Sequence, residues 1–176
     1  MVRLNLAKTS HRQAFMAVSQ TAEYALRAVV WLAQNPGLPQ TTQQLAEGTH
    51  VSTSYLPKVL QPLGRAGILT SQRGINGGYS LARDPEDLTV LEIISCVDPI
   101  QRITRCPLRL QTHTGGLCPL HTMLDEAIAE TERRFSETTI AKLLRRDTGL
   151  KPLCETTPQV FTIDSLISLK KAGDVS

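Results

Sequence analysis

Apolar residues early in the chain recur at three- and four-residue spacing. Tyr24, Ala25, Ala28, Val29, Leu32 and Ala33 form one such stripe behind Ser19, which is placed to cap it, and Asn35-Pro36-Gly37 ends it, so the pattern predicts an amphipathic helix. A short second helix is predicted next, with Thr41 or Thr42 as cap, the run Gln43-Gln44-Leu45-Ala46-Glu47, and a stop at Gly48. Four residues on, Ser52 is the expected cap of a third helix. Its inner face carries Tyr55, Leu56, Val59, Leu60 and Leu63, and it ends near Gly67. A short helix, a tight turn and a longer capped helix make a helix-turn-helix pattern.

The pattern then shortens to that of strands. Ile68–Ser71 and Tyr79–Ala82 flank the Gly-rich run Arg73-Gly74-Ile75-Asn76-Gly77-Gly78, which predicts a hairpin and, in this position, a wing. Thr89 opens another helix through Val90, Leu91, Ile93, Ile94 and Val97, closed by Asp98-Pro99. Residues 100–117 are irregular. Pro119 then opens a long amphipathic helix through Leu124, Ile128 and Phe135, and Ser136–Arg146 reads as a further short helix. The stripe on the long helix needs a partner surface.

The expected fold is therefore mainly α with a small β wing: a winged helix-turn-helix plus a long dimerisation helix. The expected organisation is a flexible extension over residues 1–15, with Met16 as a second candidate start, and a DNA-binding domain over 16–98. A cysteine/histidine sensor loop over 99–118, dimerisation helices over 119–147 and a weakly ordered tail over 148–176 complete it.

Composition supports this picture. At 176 residues the chain fits one domain, and with 41% hydrophobic but only 4% aromatic residues the core must be aliphatic, which suits helices. The net charge of +3 is mild, but its distribution is informative. Between Met16 and Arg83 five basic residues (Arg27, Lys58, Arg65, Arg73, Arg83) face two acidic ones, Glu23 and Glu47, so the basic excess lies in the first half, as a polyanionic partner requires. No run approaches the ~18 apolar residues of a membrane span, and no signal-peptide core precedes Phe15. A cytoplasmic location with reduced thiols is expected, where four cysteines read as metal ligands, redox groups or core filler before disulfides.

Two sets of residues carry candidate chemistry. Ser52, Thr53 and Ser54 begin the third helix, where amides and hydroxyls suit phosphate oxygens. Tyr55 and Lys58 follow on or near its outer face, and Arg73 stands at the hairpin tip with Gly74, Gly77 and Gly78, slim enough for a minor groove. Singly, each is an ordinary cap or a solvated arginine. In this order on a helix-turn-helix-wing they point to double-stranded DNA.

The second set is Cys106-x6-His113-x4-Cys118-x2-His121, four soft ligands in one loop. Thiolates and imidazoles in this proportion suit zinc, or an iron–sulfur cluster with mixed ligation. Cys96, on an apolar helix face, reads as core, and Cys154 in the tail reads as incidental. A cysteine nucleophile beside His113 or His121 would need a rigid scaffold at a pocket mouth. Both cysteines lie on an irregular loop instead, so an enzyme is not expected.

Three segments closely resemble the Rrf2 family of winged helix-turn-helix transcriptional regulators: Ser19–Ala28 (SQTAEYALRA), Val51–Leu56 (VSTSYL) and Arg73–Ala82 (RGINGGYSLA). The resemblance spans roughly residues 16–145. It implies a homodimer on a palindromic operator, with the third helix in the major groove, the wing in the minor groove and the helix after Pro119 as the dimer element. Cluster-binding members carry three cysteines at six-residue steps in the loop. Cys106 and Cys118 fall on the first and third, and Thr112 departs from the pattern at the middle. His121 falls where the family's iron–sulfur cluster regulator has a histidine ligand. Glu23 falls where other members supply an acidic ligand from the partner's first helix. The implied cofactor is an iron–sulfur cluster on Cys106, Cys118 and His121, completed by Glu23 or His113, that reports redox, iron–sulfur or nitric oxide status. The alternatives are a zinc site, or a metal-free regulator answering to a protein partner or small molecule. Pro57 replaces a base-reading Glu of the iron–sulfur cluster regulator, so the operator sequence does not carry over.

Overall fold

The computed structural model describes residues 18–74, 77–107, 116–146 and 152–153. It is mostly helical with one two-stranded antiparallel sheet, as expected. Helix α1 (Gln20–Gln34) is the central element. Ser19 caps it by accepting the Ala22 amide, and its fully buried Ala22, Ala25 and Ala28 let neighbouring helices approach closely. Helices α2, α3, α4 and α6 all pack against it.

Helix α2 (Thr42–Thr49) opens with a reciprocal cap, in which the Gln44 amide donates to Thr41 Oγ1 at 3.2 Å and the Thr41 amide donates to Gln44 Oε1 at 2.8 Å. It does not stop at Gly48. The helix runs on to Thr49, and His50 makes the turn in the left-handed region at φ 53°. Gly48 is there for packing: a Cβ on it would lie 2.3 Å from the Trp31 ring.

Helix α3 (Leu56–Arg65) also starts later than Ser52. The Ser52 carbonyl instead accepts the Tyr55 and Leu56 amides at 3.0 and 3.1 Å, closing a turn, and Tyr55 is the cap. Pro57 explains the shift, because a residue without an N–H fits the first helical turn, where that donor has no partner. Leu56, Val59, Leu60 and Leu63 are buried against α1 and α4.

The wing consists of β1 (Leu69–Gln72) and β2 (Gly78–Leu81), paired Leu69 to Leu81 through Gln72 to Gly78. Each strand is displaced one residue towards the turn relative to the expected Ile68–Ser71 and Tyr79–Ala82. The Ile68 amide is taken by the Leu63 carbonyl at the end of α3 (3.0 Å), so Ile68 belongs to the helix exit and buries its side chain. Gln40 and Tyr79 exchange two backbone hydrogen bonds of 2.8 Å, which join the wing to the segment before α2.

Helix α4 (Val90–Val97) is capped by Thr89, and α5 (Pro119–Glu137) by Cys118. The expected helix over Ser136–Arg146 is interrupted: α5 includes Ser136 and Glu137, and α6 (Ile140–Arg145) follows a break at Thr138-Thr139. Thr139 pairs with Thr89, the Val90 amide donates to Thr138 and the Ile140 amide to Leu88. That pairing holds the two threonines extended and buries Ile140.

Helix α5 buries none of its residues within the chain. Leu124 is exposed as expected, but the exposed apolar group is Leu120, Met123 and Leu124, while Phe135 packs on the chain's own core. Among the described residues no helix is long and apolar enough to cross a membrane.

Candidate nucleic-acid interface and metal centre

The first candidate site is made of exposed polar residues on α3, on the turn before it and on the wing, and Gln61 and Arg65 of α3 line one cleft with Thr70 and Ser71 of β1. Ser52, Thr53 and Ser54 are exposed in the turn before α3, with the Ser52 and Ser54 hydroxyls 3.1 Å apart. Lys58 is exposed, and its ammonium stands over the Tyr55 ring, 5.1 Å from the centroid. Tyr55 itself is half-buried. Its hydroxyl hydrogen-bonds Thr21 at 2.7 Å, and its ring meets Tyr24 edge-on at 5.3 Å, so it clasps α3 to α1.

Arg73 and Gly74 are exposed at the hairpin turn, where Gly74 takes φ 112°. Gly77 and Gly78 are half-buried, for a reason the sequence conceals. A Cβ on Gly77 would lie 2.5 Å from the Gln72 carbonyl oxygen, and one on Gly78 equally close to that of Gln40. Between the start of α2 and the wing lies an open cleft of about 360 Å³ that includes Thr41, Thr42, Gln72 and Arg73. Gln61 and Arg65 extend the exposed face of α3 beyond Lys58. The sequence reading did not single out these two, although the step of three from Lys58 to Gln61 and of four from Gln61 to Arg65 was the available signal.

The second site lies where the loop after α4 meets the start of α5. Cys106 Sγ, Cys118 Sγ and a His121 ring nitrogen lie within 4.8 Å of one another. His121 Nδ1 is 3.1 Å from the Cys118 sulfur and 3.7 Å from that of Cys106. Pro119 sets the first turn of α5, which brings Cys118 at the cap and His121 one turn on to the same end. The His121 backbone amide, then its side chain, pulls the Cys118 thiol down to about 7, as expected of a sulfur at a helix N-terminus. Cys106 is 8% exposed.

The remaining expected ligands are placed differently. His113 and Thr112 lie outside the described residues, as does Cys154. Glu23 sits on α1, paired with Arg27, and is not among the donors that one chain brings together. Cys96 is half-buried on α4 against the core, where burial pushes its thiol up.

A tight helix pair with a wing locked beside it defines a winged helix-turn-helix regulator that binds DNA. The sequence model of the Rrf2 family, described as an iron-dependent transcriptional regulator, matches residues 18–146, and the chain belongs to that family. It is 29% identical over 144 residues to the HTH-type transcriptional regulator NsrR of Shouchella clausii, covering 80% of this chain and 96% of that protein. With IscR of Photobacterium profundum it shares 27% identity over 152 residues, 86% of this chain and 88% of the relative. Among solved structures, T. potens IscR superposes with a TM-score of 0.59 at 27% identity, covering 72% of this chain and 85% of that one. CymR of B. subtilis gives 0.60 at 24% identity over 72% and 94%, a likeness of fold.

Proposed function

We propose that the chain acts as a homodimer on a palindromic operator, and that an iron–sulfur cluster on Cys106, Cys118 and His121 reports redox, iron–sulfur or nitric oxide status. The observation that carries the sensor reading is the convergence of two thiols and an imidazole within 4.8 Å. The donors fit such a group: one thiol is drawn down to about 7, so a substantial share of it is thiolate at neutrality, the form that ligates metal. Bound there, a cluster supplies a centre sensitive to oxidants and nitric oxide.

The chain's own residues supply the rest. Cys106 anchors the loop, Cys118 and His121 anchor the start of α5, and α5 packs on α4, which packs on α1 and α3. On this reading the grip between loop and α5 sets how the two recognition helices of a dimer are spaced, and half-site spacing on DNA is fixed. The exposed Leu120, Met123 and Leu124 of α5 form the dimer seam, with Glu23 offered to the partner's centre. Ser52, Thr53, Ser54 and Lys58 face the major groove, Arg73 and Gly74 enter the minor groove, and Tyr55, Gly77 and Gly78 hold those contacts in place.

Thr112, in place of a third cysteine, favours a second reading, a zinc site of two thiolates and one imidazole with a fourth ligand. Purification without oxygen, followed by iron, sulfide and zinc analysis, separates the two. A cluster gives visible absorption that is lost in Cys106→Ala and Cys118→Ala but kept in Cys96→Ala. Colourless protein without iron ends the cluster reading, and its zinc content then decides the second.

A further inference from the structure

The centre has a chemistry that needs no metal. Cys106 and Cys118 stand twelve positions apart in the chain, yet their sulfurs lie within 4.8 Å of one another. A disulfide is about 2.05 Å long, so the remaining approach is on the scale of a side-chain rotation. The two residues are unequally accessible: Cys118, directly before α5, is half-buried, whereas Cys106 is buried. That arrangement places one sulfur where a small oxidant arrives and a second where it can resolve the product.

We propose that the metal-free chain forms a reversible intramolecular disulfide between Cys106 and Cys118 on exposure to hydrogen peroxide. The Cys118 sulfur attacks the peroxide O–O bond, forming a sulfenic acid and releasing one oxygen as water once protonated. The Cys106 sulfur then attacks the Cys118 sulfur. An S–S bond forms, the S–O bond breaks, and the hydroxide leaves with the Cys106 proton as a second water. Two thiols lose two electrons, and the peroxide gains them. The reaction uses the residues of the metal-centre reading but not its metal. Because both sulfurs are consumed, disulfide formation and metal uptake exclude each other, and a thiol reductant restores the ligands. His121 takes no part in the bond and remains at the site.

The test uses the full chain, reduced, stripped with a chelator and treated with hydrogen peroxide. Thiols left over are alkylated before digestion without reductant and mass analysis. The expected product is a single Cys106–Cys118 cross-linked peptide pair, two hydrogens lighter, that dithiothreitol reverses. In Cys106→Ser the reaction should stop at a Cys118 sulfenic acid that dimedone captures, and in Cys118→Ser no cross-link should form. Recovery of Cys106 and Cys118 as separate alkylated peptides overturns the proposal, as does a bond from either to Cys96, Cys154 or a second chain. A parallel zinc-binding titration, together with iron and sulfide analysis of protein purified without oxygen, keeps the two readings apart. Cross-linking without zinc or iron uptake leaves the disulfide standing and removes the metal centre, and metal uptake without cross-linking does the reverse.

Discussion

Arg102 grips Asp125 through two hydrogen bonds of 2.8 and 2.5 Å, and the same carboxylate accepts the Ile103 amide at 2.8 Å. Arg102 also reaches Glu132 at 3.2 Å. The segment leading to Cys106 is thereby fastened to α5 one turn beyond His121, so the two halves of the Cys/His centre share a scaffold made of charge and backbone. The Arg102 guanidinium, followed by the Ile103 amide, holds the Asp125 carboxyl below the usual aspartate range. A depressed pKa means the tether is fully present above the ordinary aspartate value of about 3.9 and is lost as pH falls through the lower folded value. Protection of the Ile103 amide, measured as its exchange rate relative to the intrinsic rate at each pH, should therefore be high at neutral pH and fall only in acid. Asp125→Asn should lower that protection at neutral pH as well, and unchanged protection in that variant would show that the tether does not hold this segment.

Gly48→Ala should destabilise the fold by about 1–3 kcal/mol, the usual range for overpacking, because its new methyl would meet the Trp31 ring at 2.3 Å. Chemical denaturation measures this directly. A variant as stable as the parent would mean that Trp31 moves aside freely.

Tyr55→Phe and Thr21→Val should each lower stability by about 0.5–1.5 kcal/mol, the net worth of a hydrogen bond, with the double variant little worse than either single one. The shared 2.7 Å contact between their hydroxyls is the cause. Full additivity in that cycle would separate the two residues.

Arg73→Ala should weaken operator binding by about 1–3 kcal/mol if the arginine reads a base edge, whereas a phosphate contact would appear as a salt slope reduced by about one. Wild-type affinity and slope together would remove Arg73 from the interface.

Met123→Glu combined with Leu124→Glu should leave sedimentation at the single-chain mass of 19.3 kDa, with the parent at twice that mass. The two side chains are 54% and 41% exposed on α5, so a charge there does not disturb the chain's own core. A parent that sediments as a monomer would remove the seam.

Much of the architecture was legible because its causes are local. Ser19 and Thr89 sit ahead of apolar stripes, and each accepts the amide three residues on. The displaced elements have distant causes. Gly48 reads as a stop until Trp31 is seen to fill its side-chain space, and the break at Thr138-Thr139 comes from pairing with Leu88–Val90. Ser52 satisfies every local rule for a cap, yet Pro57 moves the helix start past it. At the site, the spacing of Cys106, Cys118 and His121 marked in advance three donors that the fold brings within 4.8 Å of one another. The Arg102–Asp125 tether joins residues 23 apart in the chain, and single charges carry no sign of such distant partners.

The two backbone hydrogen bonds between Gln40 and Tyr79 make the wing and the helix-turn-helix one rigid piece. In the proposed complex this is intramolecular bivalency: once α3 engages one groove, the wing tip meets the next at an effective concentration set by geometry, without a search of its own. Cutting that link, as a side chain at Gly78 would by meeting Gln40 at 2.5 Å, should lengthen the wing's search while leaving every DNA-facing side chain in place.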